Sequence, residues 1–356
     1  MKKFFYSIIT DENKTLLAGL LKLFLLVFSW LYRFVLLIVF LGYSIGILQR
    51  QKLGKPVISV GNITLGGVGK TPLVEYIARL LKERNLKPVI LSRGYMINKD
   101  AALKIHESDE ALMLSQTLKD VPVIVGKDRV KNAREYLKDH TADVFILDDG
   151  FQHGKMFRDL DIVAVDVTNP FGNGCLIPRG ILREPVSALK RADVIVLTKT
   201  DLNSSNVFSV RQQIQQLGSS KLTFESIHKP VIFEDLRTSE HLALDTLKGK
   251  RVCSLCSIAR PQTFTETLRS IGIKSDKQFF YMDHHVYTNK EIKEINQYCQ
   301  DQKIEALVTT QKDAVKLVHG MPLFDSSVRL LSLRITLEII QGKEQFVERI
   351  ASISRV

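Results

Sequence analysis

The sequence predicts an α/β protein: a doubly wound, mostly parallel sheet, a second and smaller α/β domain, and an apolar helix ahead of both. Three observations predict it. From residue 56 onward, short apolar runs alternate with helical patterns, the order of parallel strands joined by crossover helices. The runs are near-continuously apolar and β-branched, as strands covered on both faces are. Between the first run and the first helical pattern lies a glycine-rich turn, residues 61–72.

In chain order, residues 16–48 are the most apolar stretch. The run is too long for a secretory signal, and no small-residue cleavage site follows it. Lys22 and Arg33 interrupt it, and the uncharged run after Arg33 covers only 34–48, short of the ~20 residues a span needs. The two cations lie about three helical turns apart and share one face. Trp30 and Tyr32 suit the headgroup level. A helix lying in or dipping into a membrane, with Lys22 and Arg33 reaching to water, fits best. A tilted span is second, and a helix buried in the protein's own core third.

Strands are expected at 56–61, 87–92, 121–125, 142–148, 160–167 and 192–198, with helices at 72–84, 109–118 and 129–139. Residues 202–228 are more polar and read as a lead out of this domain. A second set of runs follows at 229–233, 250–258, 277–282, 304–309 and 327–335, separated by helical patterns at 261–271, 288–302 and 343–353. The expected division is therefore an apolar helix at 1–50, a core domain at 51–215, and a smaller domain at 216–356 that completes the cleft. The site of such a sheet lies at the carboxyl ends of its strands.

The composition of the 356 residues, 45% apolar and 25% charged, is globular. A net charge of +12 suits solubility, an anionic membrane, nucleic acid or a phosphorylated substrate. The basic residues are spread along the chain without zinc-finger spacing or an RNA-binding signature, so no nucleic-acid partner is expected. Cys253 and Cys256 form one CxxC without a second pair, which speaks against zinc; they read as core thiols.

The chemistry is carried by a few segments. Residues 61–72 have the strand, glycine-rich turn and helix of a P-loop NTPase-type fold. The glycines let backbone N–H groups wrap a phosphate, and the helix N-terminus adds its positive end. Lys70 would reach the terminal phosphates and Thr71 would hold Mg2+. Thr64 stands where the strict pattern has Gly. Residues 143–150 form an apolar strand ending in Asp148 and Asp149, the place of the acidic residue that holds the Mg2+ shell in such folds. Thr198-Lys199-Thr200-Asp201 resembles a base-reading motif that lacks its Asn; a loop packed under the P-loop, or one touching adenine, is equally compatible. By spacing alone Asp109 reads as a first-turn helix carboxylate. Asp283-His284-His285 follows an apolar run, and one His pair is poor evidence for a metal.

These segments together carry a resemblance to the tetraacyldisaccharide 4'-kinase family, the lipid A 4'-kinases. They are 61–72, 91–95, Asp109-Glu110, 147–153, 172–185, 257–261, Asp283-His284 and 309–314. The resemblance implies phosphoryl transfer from ATP, with Mg2+, to the 4'-hydroxyl of a tetraacylated glucosamine disaccharide 1-phosphate. It places the work at the cytoplasmic face of the inner membrane of a Gram-negative bacterium, with residues 16–48 on membrane lipids and the chain acting as a monomer. The nucleotide-binding set it implies is Thr64, Leu65, Gly66, Gly67, Val68, Gly69, Lys70, Thr71, Tyr95 and Arg129. Asp148, Asp149 and Thr71 serve the metal. Asp109 with His284, one in each expected domain, resembles the family's base pair for the sugar hydroxyl, and Lys70 completes the catalytic set. That family's P-loop also carries Thr at the position of Thr64; Gln311 and Arg179 stand where it often has Glu and Ala.

The competing reading is a membrane-cycling switch ATPase of the division or partition type. Those proteins place a Lys directly before the Gly pair, where this chain has Leu65. A GTP-dependent metallochaperone is third and would want a Cys/His-rich loop near the P-loop.

Overall fold

The computed structural model describes residues 7–94, 109–218 and 221–353. In chain order the elements are α1 (Leu16–Ser44), β1 (Val57–Gly61), α2 (Lys70–Lys82), β2 (Pro88–Ser92), α3 (Asp109–Thr117), β3 (Val123–Val125), α4 (Arg129–Asp139), β4 (Val144–Asp148), β5 (Leu160–Asp166), β6 (Val194–Thr198), α5 (Ser204–Gln216), β7 (Leu222–Asp235), β8 (His241–Leu242), β9 (Val252–Cys256), α6 (Pro261–Ser270), β10 (Ser275–Phe280), α7 (Asn289–Asp301), β11 (Ala306–Thr310), α8 (Gln311–Leu317), β12 (Arg329–Gln341) and α9 (Lys343–Ser352). Each expected strand and helix is present. The pattern missed α5, which buries only Val210 and Ile214 and so looked like a polar lead-out. It also truncated β7, whose alternating burial carries it across 14 residues.

The described chain forms two compact units: 7–94, 120–227 and 339–353 in the first, 109–119 and 228–338 in the second. This differs from a linear division at 215, for a packing reason. Helix α3 lies against α8 and joins the second unit. Helix α9 returns to α2 in the first, where Phe346 packs on Tyr76 and meets Phe224 edge-on.

In the first unit the strand order is β7-β6-β5-β1-β4-β2-β3, every neighbouring pair parallel. Strands β1, β2, β4, β5 and β6 are buried along their whole length, which is why they read as unbroken apolar runs. Strand β1 lies between β4 and β5, so its carboxyl end faces the place where the winding changes direction.

Helix α1 is continuous for 29 residues, about 43 Å at the usual rise. Thr15 caps it, its hydroxyl accepting from the Ala18 amide. One stripe faces the protein: Ala18, Leu25 and Ser29 are buried, and Tyr32 and Leu36 pack on the first unit's core. Leu20, Leu23, Phe24, Val27, Leu31, Phe34, Leu37 and Ile38 are each more than half exposed, which removes the reading of a core helix. By length and composition the helix could cross a membrane. Lys22 departs from expectation. It does not reach for water; its Nζ lies 2.8 Å from Asp11 and donates to the Asn13 carbonyl. Asp11 also takes Arg179 at 2.6 Å, so the Arg that departs from the family pattern ties residues 8–11 to the loop after β5.

In the second unit β10-β9-β11-β12 are parallel neighbours, and β8 pairs antiparallel with β7. Cys253 and Cys256 are fully buried on β9, as core thiols.

Gly61 closes β1 where the chain after β4 passes against it. A Cβ there would sit 2.5 Å from Phe151 Cβ and 2.7 Å from its amide nitrogen. Gly61→Ala is expected to cost about 1–3 kcal/mol as overpacking, read as a lowered thermal midpoint. An unchanged midpoint would contradict the close approach.

Candidate active site

Asn62 is fully buried at the end of β1 and organises the turn. Its Nδ2 donates to the Thr64 carbonyl at 2.5 Å, and its Oδ1 accepts from Lys70 Nζ at 3.1 Å. Gly66 and Gly69 take φ of +108° and +87°, a region only glycine enters cheaply. Thr64 is outside that region; it is 4% exposed and bridges to Leu182. The departure from the strict pattern therefore falls where no glycine is required. The Leu65 amide donates to the Ile181 carbonyl at 2.7 Å while its side chain points out.

The loop is braced from below. Thr198 Oγ1 donates to the Val68 carbonyl at 2.8 Å, and Lys199 Nζ donates to the Gly67 carbonyl at 2.9 Å while paired with buried Asp166 at 2.6 Å. Residues 198–199 thus pack under the P-loop. With these carbonyls tied inward, the first turn of α2, including Lys70 and Thr71, offers its amides to an anion. A Cβ at Gly67 would meet nothing within 4 Å, so the loop's outer side is open.

Strand β4 delivers two carboxylates with different surroundings. Asp148 is 4% exposed and accepts from Ser92 Oγ at 3.3 Å. Asp149 takes a left-handed backbone, φ +50°. Arg183 grips it with both nitrogens, Nη1–Oδ1 2.7 Å and Nη2–Oδ2 3.1 Å, and Lys70 Nζ lies 3.5 Å away. Burial would raise the Asp149 pKa, but Lys70 and Arg183 outweigh it and hold the carboxyl down at about 2. Arg129 is buried and donates to the Asp149 carbonyl at 3.3 Å; it supports the backbone of this residue. Tyr95 lies outside the described residues.

The donor set suits an ATP–Mg2+ complex. Asp148, Asp149 and Thr71 supply only oxygen ligands. Among the described residues no group of three or more His, Cys, Asp or Glu could cage an ion, and Mg2+ commonly takes one or two carboxylates and completes its shell with phosphates and water.

The second unit carries the other predicted pair. His284 stands in a left-handed turn, φ +60°, with Nδ1 3.5 Å from Asp109 Oδ2. Both residues belong to this unit and are already adjacent, so the expectation that each domain contributes one does not hold. Two lysines one turn apart on α8 join them. Lys316 Nζ is 3.5 Å from Asp109, and Lys312 Nζ is 2.9 Å from Asp283 and 3.3 Å from His284 Nε2. Burial would raise Asp109, but His284, Lys316 and Lys312 hold its pKa below the usual carboxylate value. Burial would lower Lys312, yet Asp283 and Glu110 raise it. Beneath lies Asp313, fully buried, accepting from the Ser257 amide at 2.9 Å, from the Ser257 hydroxyl, from Tyr287 Oη at 3.0 Å and from Lys316 at 3.2 Å. His285 turns away to Glu291, both oxygens at 3.1 Å, so the two histidines do not form a metal pair.

Sequence reasoning named Lys70, Thr71, Asp148, Asp149, Asp109 and His284, and the structure brings them into two clusters, one per unit. It gave no role to Asn62, Arg183, Lys312, Lys316 or Asp313. Arg183 had a signal, since it lies in the quoted segment 172–185, but its partner is 34 positions away.

The family profile described as tetraacyldisaccharide-1-P 4'-kinase matches residues 21–355. The chain is 36% identical over 314 residues to the tetraacyldisaccharide 4'-kinase of Syntrophus aciditrophicus, covering 83% of this chain and 84% of that one. It is 31% identical over 364 residues to that of Halothermothrix orenii, covering 95% and 94%. Among solved structures it is similar to LpxK from Aquifex aeolicus in complex with ATP, with a TM-score of 0.73 and 30% identity, over 94% of this chain and 99% of that one.

A lowered carboxylate pKa gives the pH dependence a definite sign. The unfolded state binds the extra proton as pH falls below the ordinary Asp value, so Asp149's contribution to stability is full above about pH 4 and is lost toward about pH 2. Between pH 5 and pH 3, wild type is expected to lose about 1 kcal/mol more unfolding free energy than Asp149→Asn, read by urea denaturation. Parallel losses would contradict the charge arrangement.

Proposed function

The chain belongs to the tetraacyldisaccharide 4'-kinase family and is an ATP-dependent kinase of lipid A biosynthesis, and from that premise we propose that its two clusters divide the reaction between them. The first unit holds ATP: residues 64–71 wrap the phosphates, and Lys70 neutralises charge on the group being transferred. Asp148, Asp149 and Thr71 would hold Mg2+, which neutralises charge on the phosphate oxygens when bound. The observation that carries this is Lys70, poised at the end of a braced P-loop between Asn62 Oδ1 at 3.1 Å and Asp149 at 3.5 Å.

The second unit supplies the base. A sugar hydroxyl is a poor nucleophile, so a positioned group must take its proton as the phosphoryl group moves. Asp109 and His284 do this as a pair, one orienting the other. Lys312 and Lys316 keep Asp109 ionised, and an ionised carboxylate is the form that can accept a proton. The acceptor is the 4'-hydroxyl of a tetraacylated disaccharide 1-phosphate.

Helix α1 brings the enzyme to a membrane. Its outer face is apolar over most of its length, and the +12 charge suits an anionic bilayer; the cytoplasmic face of an inner membrane is the place where ATP and such a lipid meet. The kinase is read as acting as a monomer. The switch-ATPase reading lacks its signature Lys, since Leu65 stands there.

Members of a catalytic unit are not additive. Transfer of labelled phosphate from ATP to the disaccharide 1-phosphate is expected to fall substantially in Asp109→Ala and in His284→Ala, with the double variant little worse than the poorer single. A double variant that shows the product of the two defects, at unchanged ATP affinity, would separate the residues and overturn the pair.

A further inference from the structure

The inward face of α1 ends on the residues that set the nucleotide site. Ser29, Tyr32, Leu36, Phe40 and Tyr43 recur at spacings of three and four and so share one stripe. Ser29 Oγ donates to the Leu176 carbonyl at 2.7 Å and accepts from the Arg179 amide at 3.1 Å. Tyr32 Oη donates to the Arg183 carbonyl at 3.0 Å. The Arg183 amide in turn donates to the Ile63 carbonyl at 2.7 Å, and its guanidinium holds Asp149 and touches Asn62 Oδ1 at 3.3 Å. The main chain of Arg183 is thus fixed on one side by the end of β1 and on the other by the helix. A second route runs beside it. The Arg191 guanidinium lies between the rings of Phe40 and Phe151, 4.4 and 4.5 Å from their centroids. It pairs at 2.7 Å with Glu184, which is fully buried. Gln152 Nε2 bridges Glu184 and the Asn62 carbonyl at 2.9 and 2.8 Å.

We propose that α1 is a positioning element of the ATP site as well as a membrane helix, with Tyr32 the residue through which it holds Arg183, and so Asp149 and Lys70, in register. This rests on the kinase reading of the P-loop cluster. The physical case is one of leverage. A helix with an apolar outer face is seated by the bilayer, and its polar inward contacts are then fixed along with it. Tyr32 spends its hydroxyl on the main chain of the one residue that grips Asp149 with both nitrogens. A helix serving only as an anchor would need no such bond; apolar packing through Leu25 and Leu36 would dock it. Removing α1 would then lower turnover even on a soluble short-chain acceptor.

The test is Tyr32→Phe in the full-length protein, which removes the hydroxyl and keeps the ring. Four quantities are measured beside wild type: kcat and KM for ATP, equilibrium ATP affinity by calorimetry, thermal midpoint, and co-sedimentation with phosphatidylethanolamine–phosphatidylglycerol vesicles. The expected result is a fall in kcat/KM for ATP of about 3- to 10-fold, the worth of one ordinary hydrogen bond. ATP affinity weakens with it, while vesicle binding and KM for the lipid acceptor stay put. Phe40→Leu, which removes the ring face over Arg191, is expected to give the same split. Unchanged kcat/KM in Tyr32→Phe overturns the inference, as does a loss that follows vesicle binding or the thermal midpoint. Wild type that transfers no phosphate in the same assay would instead overturn the kinase reading beneath it.

Discussion

One carboxylate and its cations order the nucleotide site. Asp149 stands at the end of β4 in a left-handed conformation, gripped by both nitrogens of Arg183 and faced by Lys70, with Arg129 on its carbonyl. A half-buried carboxylate is costly to leave unpaired, so these cations are drawn to it. The same attraction fixes the ends of three segments. Lys70 sets the start of α2, Arg183 sets the loop after β5, and Asn62, shared by both, sets the P-loop. Glycines at 66 and 69 let the backbone follow, and Lys199 with Thr198 braces it from the sheet side.

The second unit solves a different problem. The carboxylate proposed as the base, Asp109, is held below the ordinary carboxylate pKa while sitting among other acids. Asp109, Glu110, Asp283 and Asp313 would repel one another, and Lys312 and Lys316 offset this from α8, spaced four apart on one helical face. Asp313 is the deepest of them and is satisfied by Ser257, Thr310, Tyr287 and Lys316. It therefore anchors the lysine that faces Asp109. Three sequence-distant segments, around 257, 287 and 313, meet on that one buried acid.

The sheet was legible because burial on both faces writes itself as unbroken apolar runs, and the P-loop because few other uses require Gly66, Gly69 and Lys70 together at a strand end. Asp149 was legible from its place just after β4, but Arg183 was not. No periodicity links a loop arginine to a carboxylate 34 positions away. Asp109 was a helix first-turn carboxylate by spacing, and only the family resemblance suggested it as a base. Lys312 and Lys316 are the kind of residue that usually marks a solvated helix face; only the fold turns that face toward Asp109 and Asp283. Helix α5 was missed for the opposite reason, burying too little to leave a periodic signal. Lys22 misled because its partner Asp11 lies outside the apolar stretch.

On the proposed reading, the braced P-loop presents Lys70 to the phosphoryl group that leaves ATP. Turnover of purified Lys70→Ala with ATP and the tetraacylated disaccharide 1-phosphate tests it most directly, with circular dichroism to confirm the fold. Electrostatic positioning supplies most of the catalysis in such reactions, so kcat is expected to fall by roughly 100-fold or more in a folded protein. A folded variant with near-normal kcat would contradict the account.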